Sequence, residues 1–374
     1  MMLFRKISWA LLLLLPLLGG AGCSVSRLAA NQIITAPNLQ RAVPTNQYAR
    51  LWTNFFSEGA SNPLVSVRIP VGPPEASLHA TVFPPRDYHR KFVSVVRTNQ
   101  NGRKSFFLTA LPETNDTFVA RTEPASVILL HGYGMTKESM APWALMLAQA
   151  GYRTITVDLR GHGQSTGARI GFGKFEIEDL RQTLDYLIAQ GLCEENVAVM
   201  GMSYGAAMTL HWAAQDSRIR AAVAIAPYNR PDEAIERFAV MMNLPLPKKT
   251  VLAGIAGAAT KLNVQWKDLS AEESIRRVKC PVLLIGGEKD PICRPDDIEC
   301  LERASDGAVV KSVMIPEANH YIIGVWMDRL SEPVRGWFDT HLGAKRAPLE
   351  ACHSGKRERP DNRSGPFTHA APEN

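Results

Sequence analysis

The sequence predicts an α/β protein: a mostly parallel, doubly wound sheet with antiparallel strands on its N-terminal side and a helical cap inserted late in the chain. Three observations predict it. From Ala125 onward, continuous apolar runs alternate with helical periods and glycine stops, the pattern of strands buried on both faces and joined by crossover helices. Between Leu64 and Ala120 the runs are shorter, alternate apolar with polar, and are separated by Pro, Gly, Asn and Asp turns, as antiparallel strands are. Between Ala226 and Pro281 more than fifty residues intervene, where a crossover needs a dozen or so.

The parallel strands are "SVILL", "RTITVD", "VAVM", "AAVAIA", "PVLLIGG" and "VVKSVMI". One helix runs through Met140, Trp143 and Leu147 and stops at Gly151, and a second through Ile177, Leu180, Leu184, Leu187 and Ile188 and stops at Gly191, each with glycine at its C-terminal end. The last helix carries Val334, Trp337 and Phe338 and ends near Leu342. The antiparallel series is "LVSVRIPV", "SLHATVFPP", "KFVSVVRT", "KSFFLTAL" and "TFVART", with "YARLWTNFF" before it as a short helix. In the inserted cap, Val251 to Ala259 is almost uncharged; it reads as a lid or as an ordinary buried cap helix, the second being preferred. The domains are therefore a leader (1–23), an N-terminal extension (24–120), an α/β domain (121–343) with a cap at 227–280, and a polar, proline-rich tail (344–374) whose composition is that of disordered chain.

A chain of 374 residues with 45% apolar and 21% charged residues is globular and buries a sizeable core. The net charge of +6 arises partly at the ends, in Arg5, Lys6, Lys345, Arg346, Lys356, Arg357 and Arg359. No basic stripe is interleaved with aromatics, so no nucleic-acid partner is expected. Arg5-Lys6, the apolar Ile7 to Leu18 and the small residues of "GGAGC" read as an export signal. Its apolar segment falls short of the roughly 20 residues a bilayer span needs, so a cleaved signal is preferred to an uncleaved anchor. Leu17 to Cys23 also resembles a bacterial lipoprotein processing box with the lipid on Cys23, although Gly20 stands where a large aliphatic residue is usual and Leu18 lies two further upstream. Two alternatives follow: a lipidated Cys23 on the periplasmic side of a bacterial membrane, where Ser24 by resemblance favours the outer one, or ordinary cleavage into the periplasm or medium.

Apart from Cys23 there are Cys193, Cys280, Cys293, Cys300 and Cys352. Cys293 and Cys300 are near enough to close a small loop, but free thiols are an equal reading. No Cys/His cluster has zinc-ligand spacing.

The chemistry centres on "VAVMGMSYGAAM". A Gly-x-Ser-x-Gly pattern arises by chance in roughly one such chain in ten, so its context decides. Here Ser203 follows a buried-type strand and precedes a small-residue helix, the strand, sharp turn, helix setting of a nucleophile elbow. Gly201 and Gly205 let strand and helix approach while Ser203 takes a strained conformation that exposes its hydroxyl. The hydroxyl needs a base. His320, in "VMIPEANHYIIG", sits in the loop after the last strand, whereas His353 and His369 are in the tail, His79 and His89 in the N-terminal strands, and His211 two turns into the helix. The base needs an acid to fix its tautomer: Asp290 follows the preceding strand, with Glu288, Asp296 and Asp297 as competitors. An oxyanion hole needs two donors, for which the amides of Tyr204 and of Tyr133, in "ILLHGYGMTKESM", are expected.

"SVILLHGYG", "GYRTITVDLRGHGQSTG", "VAVMGMSYGAAMTL", "KCPVLLIGGEKDPICRPDD" and "MIPEANH" together resemble the α/β-hydrolase superfamily, in its bacterial esterase and serine-aminopeptidase-like branches, over roughly Ala125 to Leu342. The resemblance implies the order Ser203, Asp290, His320 for nucleophile, acid and base, with Asp158 and His162 as structural supports. The expected activity is hydrolysis of a small-molecule or lipid-like carboxylic ester, without cofactor or metal. The alternatives are a peptidase, with Asp232, Glu233, Glu236 and Glu288 as candidates to bind a substrate amine; an acyltransferase; or a non-enzymatic binding protein on the same fold. The oligomeric state is not legible.

Overall fold

The computed structural model describes residues 22–37, 64–98, 104–113, 118, 121 and 124–343. Residues 1–21, most of the expected leader, "YARLWTNFF", most of "TFVART", Cys352 and residues 344–374 lie outside the described residues. Those described form ten strands: β1 (Val65–Val71), β2 (Ala76–Phe83), β3 (Arg90–Thr98), β4 (Lys104–Pro112), β5 (Ser126–Leu130), β6 (Arg153–Asp158), β7 (Val197–Met202), β8 (Ile219–Ile225), β9 (Val282–Gly287) and β10 (Val310–Ile315). The helices are α1 (Gly22–Ile34), α2 (Ala141–Gln149), α3 (Glu176–Ala189), α4 (Tyr204–Ala213), α5 (Pro231–Met241), α6 (Lys248–Leu262), α7 (Ala271–Ile275), α8 (Pro295–Ala304) and α9 (Met327–His341). None among the described residues is long and apolar enough to cross a membrane.

Eight strands form one sheet in the order β1-β2-β6-β5-β7-β8-β9-β10. From β6 to β10 every neighbouring pair is parallel, and β1–β2 and β2–β6 are antiparallel. The parallel strands coincide with the six continuous apolar runs. β5 and β9 are buried at every residue, which is why neither shows the alternation of a half-solvated strand. Out-of-order pairing of β5 with both β6 and β7 creates a strand-order reversal, and ligands bind at the carboxyl ends of strands beside such a switch point.

The N-terminal strands divide. β1 and β2 extend the parallel sheet, with His79 opposite Asp158, while β3 and β4 form a separate hairpin. Residues 64–83 therefore belong to the eight-stranded sheet rather than to an extension ending at 120. The burial of β2 explains this, since five of its eight residues are buried and it needs cover on both faces; the more exposed β1 supplies the edge. The hairpin is tied to α2 through Gln149, whose amide accepts the N–H groups of Tyr88 and Arg90 and donates to the Arg90 carbonyl at 2.9 Å.

The insertion between β8 and β9 is helical, as its length predicts, and contains α5, α6 and α7. Within α6, Gly254, Ile255, Ala258 and Leu262 are buried, and Gly254 lies directly against Ala29 of α1. The apolar stretch Val251 to Ala259 is thus a packed cap helix, with α1 as its partner. After α1 the chain pairs with the loop before α3: the Ile170 N–H donates to Ile34 O at 2.9 Å and the Ala36 N–H to Ala168 O at 3.3 Å.

Candidate active site

β7 ends at Met202 and α4 begins at Tyr204, leaving Ser203 alone in the turn at φ 53°, ψ −113°, a conformation that costs a non-glycine residue of order 1–3 kcal/mol. The surroundings hold it there: the Ser203 N–H donates to Ile225 O at 2.8 Å, and the Ser203 carbonyl accepts from Ala207 N at 3.1 Å. Gly205 makes the turn feasible, because a Cβ there would come 2.4 Å from Leu130 O and 2.6 Å from His131 O. The first helical residue is anchored as well. The Tyr204 hydroxyl donates to Glu176 Oε1 at 2.9 Å, and this buried glutamate also accepts the Gly171 and Gly173 N–H groups.

His320 Nε2 lies 2.9 Å from Ser203 Oγ. Its loop is fixed from two sides, by the Trp143 indole N–H donating to Gly324 O at 3.1 Å and the Ser94 hydroxyl donating to Val325 O at 2.7 Å. Gly324 seats the loop directly on the elbow, since a Cβ there would stand 2.0 Å from the Met202 sulfur. His320 Nδ1 is 2.8 Å from Asp290 Oδ2. The Asp290 side chain is fully buried and that of His320 is 14% exposed. The other carboxylate oxygen, Oδ1, accepts the N–H groups of Ile292 and Cys293, both at 2.9 Å. Oδ2 is therefore the oxygen left for the imidazole. A carboxylate facing Nδ1 requires the proton there, so the lone pair of Nε2 points at the serine.

The loop after β5 turns through Gly134 at φ 69°, is closed by the Met135 N–H donating to Gly132 O at 3.1 Å, and sets Gly132 against Met202. Asp158 braces it: its carboxylate accepts the Lys137 N–H at 2.7 Å, the Gln164 N–H at 2.9 Å and the Lys137 ammonium at 3.3 Å. Burial pushes the Asp158 carboxyl up to about 6, with Lys137 opposing. The Tyr133 ring meets those of His162, Tyr204 and cap residue Phe238 edge-on. Asp158 and His162 thus stand behind the loop, not in front of the serine.

Strand order, elbow and the Ser-His-Asp chain together decide the architecture. The fold is the α/β-hydrolase fold. Residues 122–270 match the serine aminopeptidase S33 family. The chain is 24% identical over 262 residues to an uncharacterized 31.7 kDa protein of Escherichia coli, covering 58% of this chain and 91% of that one. Among solved structures it is similar to an esterase of Pyrococcus furiosus, with TM-score 0.55, 20% identity, and coverage of 76% of this chain and 92% of that one. It is also similar to a puromycin-hydrolyzing peptidase of Mycobacterium tuberculosis, with TM-score 0.51, 19% identity, and coverage of 76% and 40%.

Of the competing carboxylates, Glu288 and Asp296 are exposed. Asp297 is buried but committed to Arg237 at 2.6 Å and to the Arg294 N–H. Arg237, which sequence reasoning did not single out, also donates to Ile292 O at 3.0 Å and to Glu233 at 2.8 Å, so cap helix α5 grips the loop that carries Asp290. Glu176 and Cys293 were missed as well. Cys193, Cys280, Cys293 and Cys300 are free, so the Cys293–Cys300 loop closure is not made. Cys293 lies instead beside the Ser203 hydroxyl, and burial together with the Asp290 and Asp297 carboxylates holds its thiol well above the usual range. The elbow, the acid and the base were legible in the sequence; the place of the Cys293 thiol beside them was not.

Proposed function

We propose that the protein is a serine hydrolase that cleaves a carboxylic ester through an acyl-enzyme. The observation that carries this reading is the unbroken chain from Ser203 Oγ through His320 to Asp290, at 2.9 and 2.8 Å, ending on a strained, helix-capping serine. In this reading His320 takes the Ser203 proton as Oγ attacks the ester carbonyl, and the resulting imidazolium is stabilised by the buried Asp290. The amides of Tyr204 and Tyr133 bind the oxyanion. His320 then protonates the leaving alcohol, and water repeats the cycle to release the acid.

The family match and one structural neighbour carry the names of peptidases, which makes amide hydrolysis the second reading. An amine-binding acidic patch would favour it. The cap acids, however, are already paired: Asp232 with Arg230 at 2.6 Å, Glu233 with Arg237 at 2.8 Å and Glu236 with Lys248 at 2.7 Å. Ester cleavage is therefore preferred. The test is a series of p-nitrophenyl esters of two to sixteen carbons beside amino-acid anilides, with Ser203→Ala in parallel. Ester turnover that falls roughly 10⁴-fold or more in the variant is expected; turnover confined to anilides replaces the ester reading with the peptidase one.

We further propose export, on the strength of Arg5-Lys6, the apolar Ile7 to Leu18 and the small residues before Cys23, with Cys23 as the acylated residue. Fatty-acid labelling of the wild type that disappears in Cys23→Ala is the expected result; equal labelling of both overturns the assignment.

A further inference from the structure

The loop that delivers Asp290 folds back so that Cys293, three residues on, stands beside the serine. One ligand atom each from Asp290, Cys293 and His320 lies within 4.8 Å of the other two. The nucleophile's hydroxyl is adjacent to the thiol and to Nε2 of the imidazole. We propose that Asp290, Cys293 and His320 form a capture site for a thiophilic divalent cation, with Zn²⁺ as its representative, and that occupancy blocks Ser203. The inhibition, though not the binding, rests on the proposed serine mechanism.

The donor set is the argument. Thiolate, imidazole and carboxylate select zinc-like cations, whereas magnesium and calcium want oxygen only. Around a tetrahedral zinc with bonds of 2.0–2.3 Å, ligand atoms stand roughly 3.3–3.8 Å apart, so a set already within 4.8 Å needs shifts of about 1 Å. The loop is pre-shaped for this. Asp290 N–H donates to Gly287 O at 3.1 Å, and the Ile292 and Cys293 N–H groups converge on Asp290 Oδ1. Charge also balances: the thiol loses its proton to water, and one thiolate and one carboxylate neutralise the dication, which suits a site where Cys293 and Asp290 are both buried. No electron changes hands. Water fills the fourth position, and the imidazole held by the metal no longer accepts the Ser203 proton.

The spacing rules that find zinc sites in sequence do not see this one, because its third ligand is thirty residues from the first. The site is a regulator's, not a resident cofactor's. Zinc would suppress the enzyme reversibly, with metal-free protein the active form.

The experiment uses chelator-stripped full-length protein. Zn²⁺ is titrated into the p-nitrophenyl ester assay, each variant is normalised to its own metal-free rate, and excess EDTA is then added. Saturable loss of rate restored by EDTA is expected, with Mg²⁺ inert. The Zn²⁺ midpoint rises by at least ~10-fold in Cys293→Ala, since even partners outside the coordination shell are worth that much; Cys293→Ser replaces it if the alanine variant does not fold. In a second arm, Co²⁺ is added to Ser203→Ala, where a thiolate-to-cobalt absorption is expected that vanishes in the Ser203→Ala, Cys293→Ala double variant. Equal midpoints with and without Cys293, or no thiolate absorption, overturn the proposal. The two readings fail separately: the absorption without any ester turnover sinks the esterase and keeps the metal site, and turnover without the absorption does the reverse.

Discussion

Replacing Asp290 by asparagine tests how the acid works. In the native site Oδ1 accepts two backbone N–H groups, from Ile292 and Cys293, each at 2.9 Å, and Oδ2 faces His320 Nδ1 at 2.8 Å. An asparagine in the same rotamer has one oxygen and one NH₂. Two backbone donors cannot be served by an NH₂, so the amide oxygen must take the Oδ1 place and the NH₂ must face the imidazole. His320 then holds its proton on Nε2, where it opposes Ser203 instead of accepting from it. The wrong tautomer costs on the order of 10⁴ in kcat, about 5 kcal/mol of transition-state stabilisation, while the fold keeps both backbone hydrogen bonds. The assay is p-nitrophenyl butyrate hydrolysis from pH 6 to 9, with urea unfolding as the control. Asp290→Ala gives the comparison. It frees the imidazole to choose its tautomer, so the asparagine variant is expected to be at least as impaired as the alanine one. An asparagine variant within tenfold of wild type refutes the reasoning, as does one whose activity clearly exceeds that of Asp290→Ala.

Three further predictions concern the supports of the site. Gly205→Ala pushes a Cβ to within 2.4 and 2.6 Å of two backbone carbonyl oxygens and is expected to cost roughly 3 kcal/mol or more of unfolding free energy; denaturation within 1 kcal/mol of wild type contradicts the packing described. Arg237→Met leaves Asp297, 6% exposed, without its cation, only the Arg294 N–H remaining, and releases Ile292 O, for a loss of about 3–5 kcal/mol and weaker ester turnover, read by urea titration and kcat. Acid should destabilise the fold. Burial lowers His79, His131 and His211 to about 4 and His162 to about 3, and raises Asp158 and Asp179 to about 6. Near pH 5 the unfolded chain binds a proton at each of the four histidines that the native state refuses, while the native state binds one at each of the two carboxyls. Unfolding therefore takes up about two protons, and stability falls by roughly 3 kcal/mol per pH unit between pH 6 and 4. Chemical denaturation across that range checks it, and stability that is flat or rising toward acid contradicts it.

Much of the architecture was legible because burial on both faces writes itself as unbroken apolar runs. The buried strands β5, β7, β8 and β9 follow from that, whereas β10, an edge strand with only Ile315 buried, does not; the helix stops at Gly151 and Gly191 follow from their glycines. What was not legible is partnership. The alternation in "SLHATVFPP" announces a strand but not that His79 will pair with Asp158, far along the chain; on pattern alone β1 and β2 therefore read as part of an extension. α1 left no sign beyond its small residues, whose meaning appears only when Ala29 meets Gly254. At the site, Ser203, His320 and Asp290 could be named because each follows a strand end in a fixed topological order. Cys293 and Arg237 could not, since their importance comes from where a loop folds back and where a cap helix lands. Glu176 sits in the first turn of α3, where an acid is ordinary, and only the Tyr204 hydroxyl reveals its use.

The central claim is that Ser203 becomes covalently bonded in turnover. Treating the protein with diethyl p-nitrophenyl phosphate and measuring intact mass and then peptides tests it most directly. One phosphoryl adduct per chain, on the peptide containing Ser203 and absent from Ser203→Ala, is the predicted result. An adduct on another residue, or none on wild-type protein that turns over esters, would contradict the account.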